Sequence, residues 1–144
     1  MSTSDGKINY AIFRIHKLVR AQIQQLVKEF GITNDQWVVL STVYNAEKQY
    51  SQRELAKACV KETAAITRMI DLMEKNNWVK RVDSPVDRRI YLIEITAEGR
   101  NLYEKTLEPI IEFEQHVTEK FSEEDLRNFT YLLEKYEESV KSFE

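Results

Sequence analysis

Apolar positions recur at helical spacing from the start of the chain. Ile8, Ile12, Ile15, Val19, Ile23 and Leu26 return every three or four residues, which places them on one helix face. This predicts a helix from Lys7 to about Phe30, after a Ser/Thr/Asp/Gly-rich segment, Met1 to Gly6, expected to fray. Gly31 supplies a left-handed stop. Thr33 then caps a second helix, with Asp35 in its first turn, where the helix dipole favours negative charge. Trp37, Leu40, Val43 and Tyr44 form the apolar face of that helix. Asn45 to Tyr50 ends it, and Tyr50 is placed to pair as a short third strand.

The pattern then shortens. Ser51-Gln52-Arg53-Glu54 has the spacing of a capping box, in which the Ser hydroxyl accepts from the third backbone N–H and the Glu reaches back. Leu55, Ala56 and Cys59 give this helix a small apolar face, and the pattern breaks near Val60 and Lys61. A second helix of the pair runs from near Glu62 to Asn76-Asn77. Its inner face carries Ile66, Met69, Ile70 and Met73; its outer face carries Ala64, Thr67, Arg68 and Asp71. Period-two chemistry follows: Trp78 to Val82 reads as a strand, Asp83 to Asp87 as a turn with Pro85, and Ile90 to Ile95 as a returning strand. Arg88 and Arg89 sit at the tip, with Asp87 near enough in sequence to pair with Arg89 and fix its direction.

After this hairpin, Thr96 caps a helix with Glu98 early in it. Gly99 in the first turn lowers helix propensity, so a packing reason is expected. The stripe Leu102, Tyr103, Thr106, Ile110, Phe113 and Val117 carries the helix to about Lys120, with Pro109 expected to interrupt and kink it. Ser122 to Asp125 caps a last helix striped by Leu126, Phe129, Leu133, Tyr136 and Val140. The fold class is therefore mainly α with a small β-hairpin wing: a winged helix-turn-helix flanked by N- and C-terminal dimerisation helices. The whole chain, 1–144, reads as one domain. A winged-helix lobe is expected over about 33–96, and a helical dimerisation lobe over about 7–30 and 97–144. With only three glycines and two prolines in 144 residues, long helices are favoured over a turn-rich β fold.

Small polar residues on an exposed helix face let a backbone enter the DNA major groove, and an Arg-tipped hairpin suits the electronegative minor groove. A net charge of −3 looks unfavourable for this, but its distribution is uneven. Residues 1–50 carry six basic against four acidic groups, residues 51–100 ten against eight, and residues 101–144 five against twelve. The acid collects at the C-terminal end. Arg53, Lys57, Lys61, Arg68, Lys80, Arg81, Arg88 and Arg89 remain as candidate phosphate partners.

Taken together, Gly31-Ile32-Thr33, Gln36-Trp37, Leu40, Glu54-Leu55-Ala56, Ile66-Thr67-Arg68-Met69-Ile70-Asp71, Met73-Glu74, Asp87-Arg88-Arg89 and Ile95-Thr96 with Gly99-Arg100 resemble the MarR family of bacterial winged-helix transcription regulators. The resemblance covers nearly the whole chain. It implies a sequence-specific DNA-binding regulator: a homodimer on a palindromic operator of double-stranded DNA, acting as a repressor modulated by a small aromatic or anionic ligand. The DNA-binding candidates are Ser51, Gln52, Arg53, Thr63, Ala64, Thr67, Arg68, Asp87, Arg88 and Arg89. An effector crevice between the two lobes would draw on Arg14, His16, Arg20, Trp37 and Tyr44, each of which also has a plain reading as core or solvated face. A winged-helix protein–protein module without specific DNA binding is the alternative.

No phosphate-binding loop, nucleophile elbow or zinc-protease motif is present, so neither an enzyme nor a cofactor is expected. His16 and His116 read as surface histidines rather than metal ligands, and the single cysteine, Cys59, as a small buried hydrophobe. One cysteine cannot make an internal disulfide, and no stretch has the apolar length of a membrane span. A cytoplasmic location is expected, with no membrane association.

Overall fold

A computed structural model describes residues 6–143. In chain order the elements are α1 (Lys7–Lys28), α2 (Asn34–Tyr44), β1 (Tyr50–Ser51), α3 (Gln52–Ala58), α4 (Thr63–Lys75), β2 (Val79–Asp83), β3 (Tyr91–Ile95), α5 (Ala97–Thr118) and α6 (Glu123–Lys141). The three strands form one antiparallel sheet in the order β1-β3-β2. Tyr50 pairs with Ile93, and Val79 with Ile95. The mainly helical, winged helix-turn-helix architecture expected from the pattern is what forms. Two compact units divide the chain, one running to Glu108 and the other from Pro109.

Short-range chemistry sets the helix starts. Thr33, Ser51 and Ser122 each accept from the backbone N–H three residues on, and Gln36, Glu54 and Asp125 reach back to the cap backbone. These three capping boxes satisfy donors that a helix start otherwise leaves orphaned. Gly31 takes φ +74° just past α1. The ends of α3 and α4 share another device. After α3, the N–H of Val60 donates to Lys57 O and that of Lys61 to Ala56 O; after α4, the N–H of Asn77 donates to Glu74 O and that of Trp78 to Met73 O. Both are Schellman turns, which need a left-handed residue just past the helix. Asn77 tolerates φ +61°, but Val60 holds φ +53° with a β-branched side chain, a strained choice.

The core of the first unit is built from Val27, Val39, Leu40, Leu55, Ile66, Ile70, Met73, Val79 and Ile93, all essentially shielded. Met69, the fourth inner position of α4, is half-buried. Gly99 is buried where α5 begins, and a Cβ there would lie 2.0 Å from the Trp78 carbonyl oxygen. The packing reason is therefore a backbone-to-backbone approach. The same carbonyl accepts the Thr96 N–H at 3.0 Å, while Thr96 Oγ1 accepts from Gly99 N and donates to Asn77 O.

The sequence reading of Pro109 as an interruption needs correction. α5 continues through it without a break. A proline inside a helix removes one hydrogen bond, and the turns on either side hold the rest. In the second unit, α6 has no buried residue at all, although Leu126, Phe129, Leu133, Tyr136 and Val140 line one side; Phe129 is 55% exposed. Among the described residues, no helix is long and apolar enough to cross a membrane.

Candidate nucleic-acid interface

α3 and α4 form the helix-turn-helix, and β2–β3 form the wing. At the start of α3, Ser51 Oγ is used internally, accepting from Glu54 N at 3.1 Å. Arg53, next along, is exposed. α4 begins at Thr63 with no side-chain cap, so its first N–H groups meet solvent. Thr63 and Ala64 are both exposed and leave the helix start uncrowded. A cleft of about 420 Å³ opens beside them, lined by Arg53, Glu54, Ala56, Lys57, Lys61 and Thr63. Such a basic recess beside free N–H groups favours an anion.

The candidate cations divide sharply. The side chains of Arg53, Lys57, Arg68 and Arg88 make no ion pair or hydrogen bond with another described residue. Lys61, by contrast, lies 3.4 Å from Asp35, and Lys80 lies 3.4 Å from Glu94. Arg81 is the most committed. Its side chain is 18% exposed and pairs with Asp71 at 2.6 Å and Glu74 at 2.9 Å. It also donates from Nε to Gln52 Oε1 at 2.6 Å. The sequence placed Arg81 among the free phosphate partners; the structure places it in an internal network instead, because β2 doubles back along α4 and brings the guanidinium onto that helix's acidic residues.

Gln52 and Thr67 belong to the same network. Gln52 Nε2 donates to Thr67 Oγ1 at 3.2 Å, and that hydroxyl donates to Thr63 O at 3.0 Å. Thr67 is half-buried, whereas Arg68 beside it points outward, exposed. The one signal that could have revealed the network is the i, i+3 pair Asp71 and Glu74 on α4, followed by a single turn and then an arginine on the returning strand.

The wing tip is a closed structure. Ser84 Oγ accepts from the N–H groups of Val86 and Asp87, and Ile90 N donates to Asp87 O at 3.1 Å. Arg89 chelates Asp87 with Nε and one terminal nitrogen, each at 3.1 Å, and its backbone N–H donates to the same carboxylate at 3.0 Å. The fork holds the Asp87 carboxyl below the usual carboxylate range and leaves the Arg89 side chain 89% exposed. Arg88 is exposed alongside.

Of the five effector candidates, Arg14, His16 and Arg20 lie on α1, while Trp37 and Tyr44 both pack against the Tyr103 ring. Arg14 lies over the Tyr10 ring at 5.8 Å on α1, and His16 is exposed on the same helix. Arg20 forks onto Asp35, whose carboxyl drops to about 2 through that pairing. Trp37 Nε1 donates to the buried Thr106 Oγ1 at 2.9 Å. Tyr44 packs on Tyr103 with ring centres 4.5 Å apart, takes the Arg100 guanidinium on its face, and donates to Glu104. Cys59 is half-buried beside Thr42, and burial pushes its thiol up, away from the reactive thiolate.

A three-stranded wing behind a two-helix motif, with an uncapped α4 and an arginine-chelated tip, defines a winged helix-turn-helix protein. The MarR family model matches residues 32–91, from just before α2 to the first residue of β3. It is 26% identical over 132 residues to the uncharacterized HTH-type transcriptional regulator YwoH of Bacillus subtilis (strain 168), covering 92% of this chain and 95% of that protein. It is 34% identical over 87 residues to the HTH-type transcriptional regulator PrsX of Escherichia coli, a match spanning 60% of this chain and about half (52%) of PrsX. Similar solved structures include S. aureus MepR in DNA-binding conformation, with TM-score 0.86, 24% identity, and 93% and 98% of the two chains covered. Another is a mutant MarR from E. coli complexed with operator DNA, with TM-score 0.80, 24% identity, and 90% and 92% covered.

Proposed function

We propose that this chain is a MarR-type, sequence-specific DNA-binding transcription regulator. The single observation that carries the reading is the split among its cations: Arg53, Lys57, Arg68 and Arg88 stay unpaired around the uncapped start of α4 and the wing tip. Unpaired guanidinium and ammonium groups beside free helix N–H groups are suited to phosphates. Thr63, Ala64 and Arg68 face the major groove, and Arg88 and Arg89 the minor groove. Arg53 and the N-terminal turn of α3 at Ser51 contact the backbone. Gln52 and Thr67 support that surface from behind, and Asp87 aims the tip.

The protein acts as a homodimer on a palindromic operator. A lone chain leaves the apolar residues of α6 uncovered, and Ile8, Tyr10, Phe13, Ile15 and Leu18 of α1 exposed. A two-fold dimer matches a two-fold site, with α4 helices spaced by about 34 Å, one DNA turn. The helical lobe, about 7–30 and 97–144, supplies the dimer contacts, and about 33–96 the DNA contacts. The regulator represses, and a small aromatic or anionic ligand releases it. The similar structures that hold DNA support the DNA-binding part of this reading, and a cytoplasmic location goes with it.

Selection of duplexes from a random pool, followed by anisotropy titration at several salt concentrations, tests the proposal. Arg89→Ala is expected to weaken binding of the selected duplex by about 1–3 kcal/mol, the range of a groove contact. Arg68→Ala separates two roles: relaxed sequence preference marks a base contact, and a salt slope reduced by about one marks a phosphate contact. Absence of any salt-dependent binding would instead favour a protein–protein module.

A further inference from the structure

One guanidinium joins the wing to both helices of the motif. Arg81 on β2 donates to Glu74 and Asp71 on α4, to the Thr67 carbonyl on the same helix, and to Gln52 at the start of α3. Its backbone N–H donates to the second Glu74 oxygen at 2.9 Å. Gln52 closes the circuit by donating to Thr67. The planar fork of arginine can serve several acceptors at once from fixed directions, which a lysine ammonium cannot do. Of the nine cations on the motif and wing, this is the one that pairs with two carboxylates.

We propose that Arg81 is a positioning residue: the Arg81–Glu74–Asp71–Gln52 clasp sets the wing at a fixed offset from α4, so that the major- and minor-groove contacts engage one site together. The inference rests on the DNA-binding reading above. It also gives Gln52 and Thr67 their role, since their polar atoms are turned toward Arg81 and each other rather than toward bases. Without the clasp, the hairpin is tied to α4 only through the turn at Asn76–Trp78 and its own packing. The arginine tip then samples several positions, and ordering it costs affinity on every binding event.

The electrostatic sign makes the inference testable. Glu74→Gln removes a negative charge from the neighbourhood of DNA, which by charge alone tightens binding. If the clasp positions the wing, the same change weakens it. Both Glu74→Gln and Arg81→Lys, which keeps the positive charge, are expected to lower affinity for the duplex selected with the wild-type chain by about tenfold, as for coupled residues in one network. In free protein, both are expected to speed amide exchange at the wing tip, residues 84–90, while the thermal midpoint stays close to wild type. Unchanged or tighter binding by Glu74→Gln, or unchanged wing exchange in both variants, overturns the positioning role. If the wild-type chain binds no duplex, the DNA reading fails first and takes this role with it; a wild-type chain that binds beside an indifferent Glu74→Gln variant sinks only the clasp.

Discussion

Gly99 lies where two backbones nearly touch, and its missing side chain is the condition for that approach. A methyl at this position would meet Trp78 O at 2.0 Å and Trp78 C at 2.8 Å. Neither is the end of a flexible side chain, so the strand or the helix must move. Gly99→Ala is expected to destabilise the protein by about 1–3 kcal/mol, read from urea denaturation, even though alanine is the better helix former. Asp35 offers a second test at this scale. Arg20 is the main cause of its lowered carboxyl pKa, with Lys61 adding to it. A carboxylate with a depressed pKa stabilises the fold above its ordinary value near 3.8 and loses that contribution as pH falls toward about 2. Arg20→Met is therefore expected to raise the Asp35 pKa in an NMR titration and to move acid unfolding to higher pH.

Among the elements, what could be seen in the sequence was what lies within a few residues. The three capping boxes and the Asp87–Arg89 fork span two or three positions, so their geometry follows from local chain direction. The Arg81 network was hidden because it depends on β2 returning along α4, and residue spacing on one element says nothing of that. The continuous course of α5 through Pro109 was likewise invisible to propensity, which registers the lost hydrogen bond but not the turns that hold the helix on either side. Val60 was legible only as a break in pattern. It occupies the left-handed position of a Schellman turn that glycine or asparagine usually fills, and it is 88% exposed, so little packing offsets the strain. Val60→Gly is expected to stabilise the chain by up to about 1 kcal/mol, seen as a higher melting temperature, because the strain removed exceeds the entropy glycine adds.

For the whole molecule, the exposed apolar residues of α6 and α1 bear on the assembly. A chain that stays single in water must leave them wet, which few soluble monomers do over contiguous areas. Sedimentation at micromolar concentration is expected to show a dimer. Replacing Phe129 and Leu133 with Asp is expected to shift it to monomer and to abolish operator binding together, since a half-site alone gives up half of the contacts. The net charge of −3 comes from acid gathered in residues 101–144, whereas residues 1–100 carry more basic than acidic groups.

The junction at Trp78 has a mechanical consequence. Its carbonyl carries the Thr96 N–H and abuts Gly99, while Asn77, one residue earlier, receives the Thr96 hydroxyl. The foot of the hairpin and the root of α5 thus share a single pivot, much as two levers share a pin. A push that tilts the root of α5 has no slack to absorb it there, and the finger must swing with it.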